Sequence, residues 1–306
     1  MGRFLIAQLI LINISAAFHA YRFTHYYNDD NIRHLQSSKG KPLLRTWRMM
    51  TGKKLAKSLI QYHPGIPYDI IQLTTKKDLK LEGWYMKADS AKGTVILFHG
   101  LNSNKGNVLG EAFEFLSLGY NAMLVDSRAH GNSEGIVNSI GYKESEEVKL
   151  AYEFIFQRGE KNIVLWGMSL GAVMISKAIW QYDLQPQKVI LEMPFDRLQD
   201  HISARARISG FPGEPFGFFV TFWTGLEQAY WGYGHKTSKY ARKLNSPVLL
   251  QWGNADEYVL KKETGKIFNV IGSQKKRLEI YDGAGHGSLL AANELKWKQT
   301  IAEFLK

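Results

Sequence analysis

One serine, at the junction of a strand-like and a helix-like segment, constrains this chain more than any other feature. Ser169 stands in the pattern G-x-S-x-G, after the apolar run 163–166 and before the helix-like run 172–175. A sharp strand-to-helix turn leaves no room for side chains two residues either side of its apex, which explains Gly167 and Gly171. The turn also sets the hydroxyl at the amino end of a helix, where negative charge is stabilised. This pattern is typical of a nucleophile elbow on an α/β sheet.

A serine nucleophile needs a base, and the base needs an acid that orients it. Asp256 follows the strand-like run 247–252, and His286 lies in a glycine-rich loop after the run 277–281. Both follow Ser169 in the chain order serine, acid, histidine that elbow proteins have. Each stands past the carboxyl end of an expected parallel strand, where open α/β sheets place their ligands. We therefore predict a triad of Ser169, His286 and Asp256. Two other carboxylates are alternatives for the acid: Asp196 and, more weakly, Glu257.

Backbone amides are expected to stabilise the oxyanion. One belongs to Leu170, directly after the nucleophile, and the other to Leu101, in the turn after the strand-like run 94–98. Gly100 allows this turn. His99 resembles a competing base, but it precedes Ser169 in the chain, so we interpret it as structural.

With these residues in place, the chain resembles the α/β-hydrolase superfamily, closest to its serine aminopeptidase-like and acyl-esterase-like branch. The resemblance covers about residues 68–306 and implies an α/β-hydrolase fold. In that family the segment Asp-x-Arg-x-His-Gly-x-Ser is a structural turn, so Asp126, Arg128 and His130 are not expected to be catalytic. Ala129 departs from the glycine often found there. A serine at position 169 counts against the branches whose nucleophile is a carboxylate.

The pattern of apolar runs predicts an α/β fold with a mostly parallel, doubly wound sheet. The alternating stretches 68–75 and 79–86 predict an antiparallel hairpin at the sheet edge. The expected parallel strands are 94–98, 122–125, 163–166, 188–191, 248–252 and 278–281. The expected helices are 107–118, 143–157, 170–182, 260–271 and 290–305.

An insertion at about 194–245 interrupts this alternation and is crowded with aromatic residues. The resemblance implies a helical cap over the active site at this place. Aromatic lining would favour an apolar acyl or aryl group and exclude water. The same rings could instead pack the cap onto the body of the protein.

The first residues predict a membrane association. Residues 4–20 are mostly apolar, so residues 1–20 are interpreted as an uncleaved anchor or as a signal segment with small residues suited to cleavage after Ala17. Residues 21–67 are predicted to form a basic, helical juxtamembrane segment. Its cations between 33 and 57 would bind anionic headgroups if the segment lies at a membrane, and would otherwise be a solvated helix face. The orientation in the membrane stays open, and export after signal cleavage is the alternative.

Composition and the absence of certain motifs count against several kinds of site and partner. The 306 residues include no cysteine, which excludes disulfides, thiolate metal sites and a cysteine nucleophile. The net charge of +11 comes without a nucleic-acid motif, so no nucleic-acid partner is expected. No metal-ligand spacing and no dinucleotide or phosphate loop is present, so neither metal nor cofactor is implied.

The resulting hypothesis is a membrane-associated serine hydrolase that cleaves a small-molecule carboxylic ester through an acyl-enzyme. An aminopeptidase-like amidase and an acyl transferase of the same fold are the nearest alternatives. A catalytically silent, membrane-tethered binding protein is an alternative of another class.

Overall fold

The computed structural model describes residues 2–28 and 42–306, with side chains from residue 6 onward. The strands are β1 (Tyr26–Tyr27), β2 (Leu55–Ala56), β3 (Asp69–Thr74), β4 (Lys80–Met86), β5 (Thr94–Phe98), β6 (Asn121–Val125), β7 (Ile163–Met168), β8 (Lys188–Glu192), β9 (Val248–Gly253) and β10 (Lys276–Tyr281). The α-helices are α1 (Gly2–Thr24), α2 (Pro42–Thr51), α3 (Leu109–Ser117), α4 (Ser145–Gln157), α5 (Leu170–Tyr182), α6 (Leu198–Ile208), α7 (Phe216–Glu227), α8 (Thr237–Tyr240), α9 (Lys261–Val270), α10 (Leu289–Ala292) and α11 (Glu294–Leu305).

Eight strands of the described chain form one sheet in the order β10-β9-β8-β7-β5-β6-β4-β3. Neighbours from β10 to β6 pair in parallel, and β4 pairs antiparallel with both β6 and β3. The chain goes from β5 to β6 on one side and then to β7 on the other side of β5. A doubly wound sheet opens a crevice at such a reversal, at the carboxyl ends of the two strands.

The predicted fold class is confirmed. The six parallel strands agree with the expected runs to within two residues at each end, since β5, β7 and β9 are apolar and buried almost throughout. The predicted hairpin consists of β3 and β4. Of these two strands, β3 lies at an edge of the sheet and β4 lies one strand further in. The expected helix 290–305 is divided into α10 and α11 at Asn293, whose side chain accepts a hydrogen bond from the amide of Lys296.

The chain forms two compact units. The sheet unit consists of residues 58–135, 140–196 and 237–306 and contains the eight-stranded sheet. The N-terminal unit takes its described residues from 2–28, 42–57, 136–139 and 197–236. It thus combines the N-terminal segments with most of the predicted insertion, and contains α1, α2, α6 and α7.

Within the N-terminal unit, α1 packs against α7 and α2. The helix extends to Thr24, four residues beyond the predicted end of the anchor. Its last turns are buried on one side, where Ala16, Ala20 and Thr24 have no exposed surface.

The predicted helical segment 21–67 differs in the structure. Of its described residues, 42–51 form α2, whereas 52–67 contain no helix and include the short strand β2, which pairs with β1. Residues 29–41, including Arg33, Lys39 and Lys41 of the predicted basic segment, lie outside the described residues.

Candidate active site

Ser169 occupies the apex of a strained turn between β7 and α5. Its φ of 52° and ψ of −109° are unfavourable for a residue with a side chain. A Cβ on Gly171 would overlap the carbonyl oxygen of Phe98, and a Cβ on Gly167 would lie 2.6 Å from the carbonyl carbon of Gly171. The close approach of α5 to β5 therefore requires Gly171, and its close approach to β7 requires Gly167.

The structure brings the three predicted triad residues together in the sheet unit. His286 Nε2 lies 2.8 Å from Ser169 Oγ, and His286 Nδ1 lies 2.6 Å from Asp256 Oδ2. In the tautomer that fits both contacts, Nδ1–H donates to the carboxylate and the serine hydroxyl donates to Nε2. The chain reaches this geometry although 117 residues separate the serine from the histidine.

The carboxylate of Asp256 is held by its own loop. Its second oxygen, Oδ1, accepts hydrogen bonds from the amides of Tyr258 and Val259, at 2.7 and 2.9 Å. The side chain of Asp256 is fully buried, while that of His286 keeps 14% of its surface exposed. The acid is thereby immobilised, whereas the imidazole stays accessible from the crevice.

The two alternative acids, Asp196 and Glu257, lie in environments that differ from that of Asp256. Asp196 is buried, and its carboxylate accepts from the amide of Ser238 at 2.9 Å and pairs with Lys266 at 2.5 Å. Glu257 is exposed to solvent. Neither of them is bonded to His286 in the described part of the chain.

The turn predicted to form the oxyanion site follows β5. It is closed by a hydrogen bond from the Ser103 amide to the Gly100 carbonyl oxygen, 3.3 Å long, and Asn102 has a φ of 60°. A Cβ on Gly100 would lie 3.6 Å from the Cβ of Ser169, so this glycine brings the turn close to Ser169. Among the hydrogen bonds of the described residues, the amides of Leu101 and Leu170 have no acceptor, and a helix leaves its first amides unpaired.

Two buried histidines support the turn, as structural residues would. His99 Nδ1 donates to the Gly100 carbonyl oxygen at 2.8 Å, and its Nε2 accepts from the Ser127 amide at 3.1 Å. His130 Nε2 accepts from the Asn102 amide at 3.1 Å. Burial lowers the pKa of His99 to about 4 and that of His130 to about 3, so both rings are neutral at pH 7.

The other residues of the segment 126–133 form buried ion pairs away from the triad. Asp126 pairs with Lys105 at 2.5 Å, and Arg128 pairs with Glu147, also at 2.5 Å. Ala129 has a φ of 62°, which is the conformation that a glycine would adopt most easily. These contacts agree with a structural turn.

Sequence reasoning did not identify two acidic side chains near the site. Glu111 on α3 accepts a hydrogen bond of 2.6 Å from Ser288, two residues after the triad histidine, and so anchors the histidine loop. Glu192, at the end of β8, accepts from two indoles, Trp166 and Trp297, and its carbonyl oxygen accepts from the Ser169 amide at 2.7 Å. No local pattern marks either residue, because each role depends on a partner from a distant segment.

The described residues contain no cluster of three or more histidine, cysteine or acidic side chains that could hold a metal ion.

Parts of the chain are similar to known proteins. Residues 89–213 match the model of a family described as serine aminopeptidase, S33; this segment includes Ser169 but ends before Asp256 and His286. The chain is similar to the uncharacterized protein YqkD of Bacillus subtilis, with 24% identity covering 74% of this chain and 75% of that one. It is also similar to the lysophosphatidylserine lipase ABHD12 of Danio rerio, with 32% identity covering 38% of this chain but only 32% of that protein.

Among solved structures, the chain is similar to the esterase Pf2001 of Pyrococcus furiosus. The TM-score is 0.65 at 21% identity, and the match covers 81% of this chain and 97% of the esterase. The sheet order, the elbow and these matches define an α/β-hydrolase fold. The chain thus has an α/β-hydrolase fold, and its segment 89–213 is similar to the serine aminopeptidase family.

Proposed function

We propose that this protein is a serine hydrolase that uses Ser169, His286 and Asp256 to cleave carboxylic esters. The observation that carries the proposal is the continuous hydrogen-bonded chain from Ser169 Oγ through the imidazole to Asp256, with the serine at the apex of a strained turn. A serine that served only to build the turn would not need a buried carboxylate beyond its histidine partner.

The residues supply each step of an acyl transfer. Ser169 Oγ attacks the substrate carbonyl carbon while His286 Nε2 takes the hydroxyl proton. Asp256 keeps the proton of Nδ1 in place and stabilises the imidazolium that forms. The amides of Leu101 and Leu170 stabilise the tetrahedral oxyanion, and His286 then protonates the leaving group. Water, deprotonated by the same histidine, then attacks the acyl-enzyme, which releases the carboxylic acid and restores Ser169.

An ester is the proposed substrate because an alkoxide leaves more easily than an amine. The names of the similar proteins support both substrate classes, esters and amides. The Danio rerio protein is named a lysophosphatidylserine lipase, whereas the matched family model is described as a serine aminopeptidase. An apolar acyl or aryl group in the substrate stays a prediction from the aromatic residues of the sequence segment 194–245.

We also propose that α1 tethers the protein to a membrane without being cleaved. Residues Ile6–Thr24 form a helix long and apolar enough to cross a bilayer. Its carboxyl-terminal half is part of the folded N-terminal unit, because Ser15 Oγ donates to the Met50 carbonyl oxygen at 2.8 Å and Ala16 is fully buried. Cleavage after Ala17 would remove both contacts. Mass spectrometry of the protein recovered from membranes should therefore find residues 1–17 still attached.

Labelling with an alkyl fluorophosphonate tests the nucleophile. We expect one adduct, on Ser169, because only a serine activated by a neighbouring base reacts readily with this reagent. Heat-unfolded protein and Ser169→Ala are the controls, and both should remain unlabelled. Absence of an adduct in the folded wild type would favour the silent binding protein.

A substrate panel separates the esterase from the peptidase. Nitrophenyl esters from acetyl to palmitoyl and aminoacyl amides are compared by kcat/KM on the full chain in detergent. We expect ester turnover with a preference for medium or long acyl chains. Faster turnover of the amides would reverse the assignment of the substrate class, and a preference for short polar acyl groups would contradict the apolar binding site.

A further inference from the structure

The N-terminal unit contains a cavity of about 490 Å³ whose charged lining is basic. It lies among α1, α2 and α6, with part of its wall from α7 and from the segment after α2. None of its described lining residues is acidic. Its basic side chains are His19, Arg22, Arg45, Arg48, Lys53 and Arg205.

Three of these basic side chains have no acidic partner among the described residues. Arg22, Arg45 and Lys53 form no ion pair with a carboxylate of the described residues, in contrast to the paired cations around Asp126 in the sheet unit. Three cations facing one cavity repel each other, and an anion bound among them would remove that repulsion.

The walls of the cavity are held in place by local contacts. His19 donates from Nε2 to the Met49 carbonyl oxygen at 3.0 Å, which ties α1 to α2. Gly52, with a φ of 79°, allows the chain after α2 to pass within van der Waals distance of His19 and Arg22. The backbone on two sides of the cavity, next to Arg22 and Lys53, is therefore held by the packing of the unit.

Aromatic rings form the apolar part of the lining. Phe211 and Phe216 stack with centroids 5.5 Å apart, and the His19 ring packs edge-on against both. The Arg205 guanidinium lies over the Phe23 ring, 5.3 Å from its centroid. A ligand that fits this lining has an anionic group and an apolar portion.

The position of the cavity along α1 indicates the source of such a ligand. The exposed large apolar side chains of α1 run from Ile6 to Tyr21, and Arg22 follows directly. Fifteen residue steps of helix span about 23 Å, most of the hydrocarbon thickness of about 30 Å. If α1 enters a bilayer, Arg22 lies at the depth of the headgroups, where basic side chains meet lipid phosphates.

We propose that this cavity binds the phosphate-bearing headgroup of an anionic phospholipid. The cations hold the phosphate, and the aromatic wall contacts the start of the acyl chains. The site lies entirely in the N-terminal unit and uses no residue of the proposed triad. The lipid proposal can therefore be tested independently of the hydrolase proposal.

Native mass spectrometry of the full chain in non-ionic detergent tests the site. The protein carries Ser169→Ala, so that hydrolysis of the lipid cannot affect the result. Dioleoylphosphatidylglycerol and dioleoylphosphatidylcholine are titrated separately. We expect one bound phosphatidylglycerol molecule, with an affinity at least about tenfold above that for phosphatidylcholine, because only the first lipid has a net charge. Equal retention of the two lipids overturns the proposal.

Two sets of variants, matched in charge, locate the binding. Removing three cavity cations should weaken phosphatidylglycerol binding on the order of a hundredfold, whereas removing three exposed lysines of the sheet unit should leave it unchanged. Unchanged binding in the cavity variant, or equal loss in both, contradicts the proposal. The cavity variant is R22Q/R45Q/K53Q, and the control is K77Q/K275Q/K306Q.

Two further measurements close the remaining alternatives. A charge-preserving variant, R22K/R45K/K53R, should keep most of the affinity, which distinguishes lost charge from lost folding. Inorganic phosphate is added as a competitor in the same titration. We expect it to leave the lipid bound, because it lacks the apolar portion; complete displacement would assign the site to free phosphate and overturn the lipid proposal.

Discussion

Two aspartates follow neighbouring strands of the sheet, and their hydrogen bonds distinguish them at the scale of single residues. Asp196 already holds the Ser238 amide and the Lys266 ammonium, whereas Asp256 offers one oxygen to two loop amides and the other to His286. Both oxygens of Asp196 are thus bonded to groups other than His286, whereas one oxygen of Asp256 accepts from the imidazole. The local sequence around the two residues does not contain this difference.

Replacing Asp256 by asparagine should lower kcat for a nitrophenyl ester by about four orders of magnitude. The side-chain amide can present an N–H to Nδ1, which favours the tautomer that cannot accept the serine proton at Nε2. Asp196→Asn is the matched control and should cost far less. If the control loses more activity than Asp256→Asn, the acid has been misassigned.

The elbow glycines permit a similar comparison of stability. Gly171→Ala should destabilise the protein by roughly 1–3 kcal/mol or more, since the added methyl group would overlap the carbonyl oxygen of Phe98. Gly265→Ala, in the middle of α9 and with no atom within 4 Å of the added Cβ, should be neutral or stabilising by up to about 1 kcal/mol. Thermal unfolding midpoints compare the two; equal midpoints would show that the elbow can relax.

At the scale of elements, α1 presents an exposed apolar side and a buried side along one helix. Its exposed apolar side chains suit a bilayer, while its small buried residues allow α7 to approach closely. Trp223 on α7 also donates from Nε1 to Asn13 Oδ1, at 3.4 Å. An anchor that only crossed a membrane would need no such packing, so α1 is expected to stabilise the N-terminal unit as well.

Ala20→Leu should therefore lower the unfolding temperature of the full chain in detergent. Position 20 has no exposed surface, and overpacking a buried site costs about 1–3 kcal/mol. Ala7→Leu makes the same change at an exposed position of the same helix and should have no effect. A matching decrease in both variants would mean that α1 does not pack as described.

At the scale of the whole molecule, buried titratable groups make stability depend on pH in two directions. Burial lowers the pKa of His99 to about 4. The neutral, buried ring therefore contributes fully to the free energy of unfolding above pH 6.5, and this contribution is lost as the pH falls toward 4. Glu192 has a pKa raised to about 8, first by burial and then by the charge of Glu111. Its contribution is complete below pH 4.5 and is lost as the pH rises through 8.

Glu192→Gln should accordingly be more stable than the wild type at alkaline pH, by on the order of a few kcal/mol at pH 8. The glutamine carbonyl oxygen can keep the bonds that Glu192 Oε1 accepts from Trp166, Trp297 and Gln251. Glutamine does not ionise, so no charge forms in the buried site at high pH. Urea unfolding from pH 5 to pH 8 measures the difference. A difference that does not change with pH would show that Glu192 is not protonated in the fold.

The sequence was sufficient to locate the strands, most helices and the elbow, because apolar periodicity and the G-x-S-x-G spacing are patterns within one short segment. The candidate triad could also be named in advance, since residues past the ends of parallel strands meet at one sheet edge. Other features needed the folded chain: the partner of each aspartate, the anchoring of the histidine loop by Glu111, and the cavity that gathers Arg22, Arg45 and Lys53. Their energy comes from contacts between residues far apart in the chain, and no local pattern records such contacts.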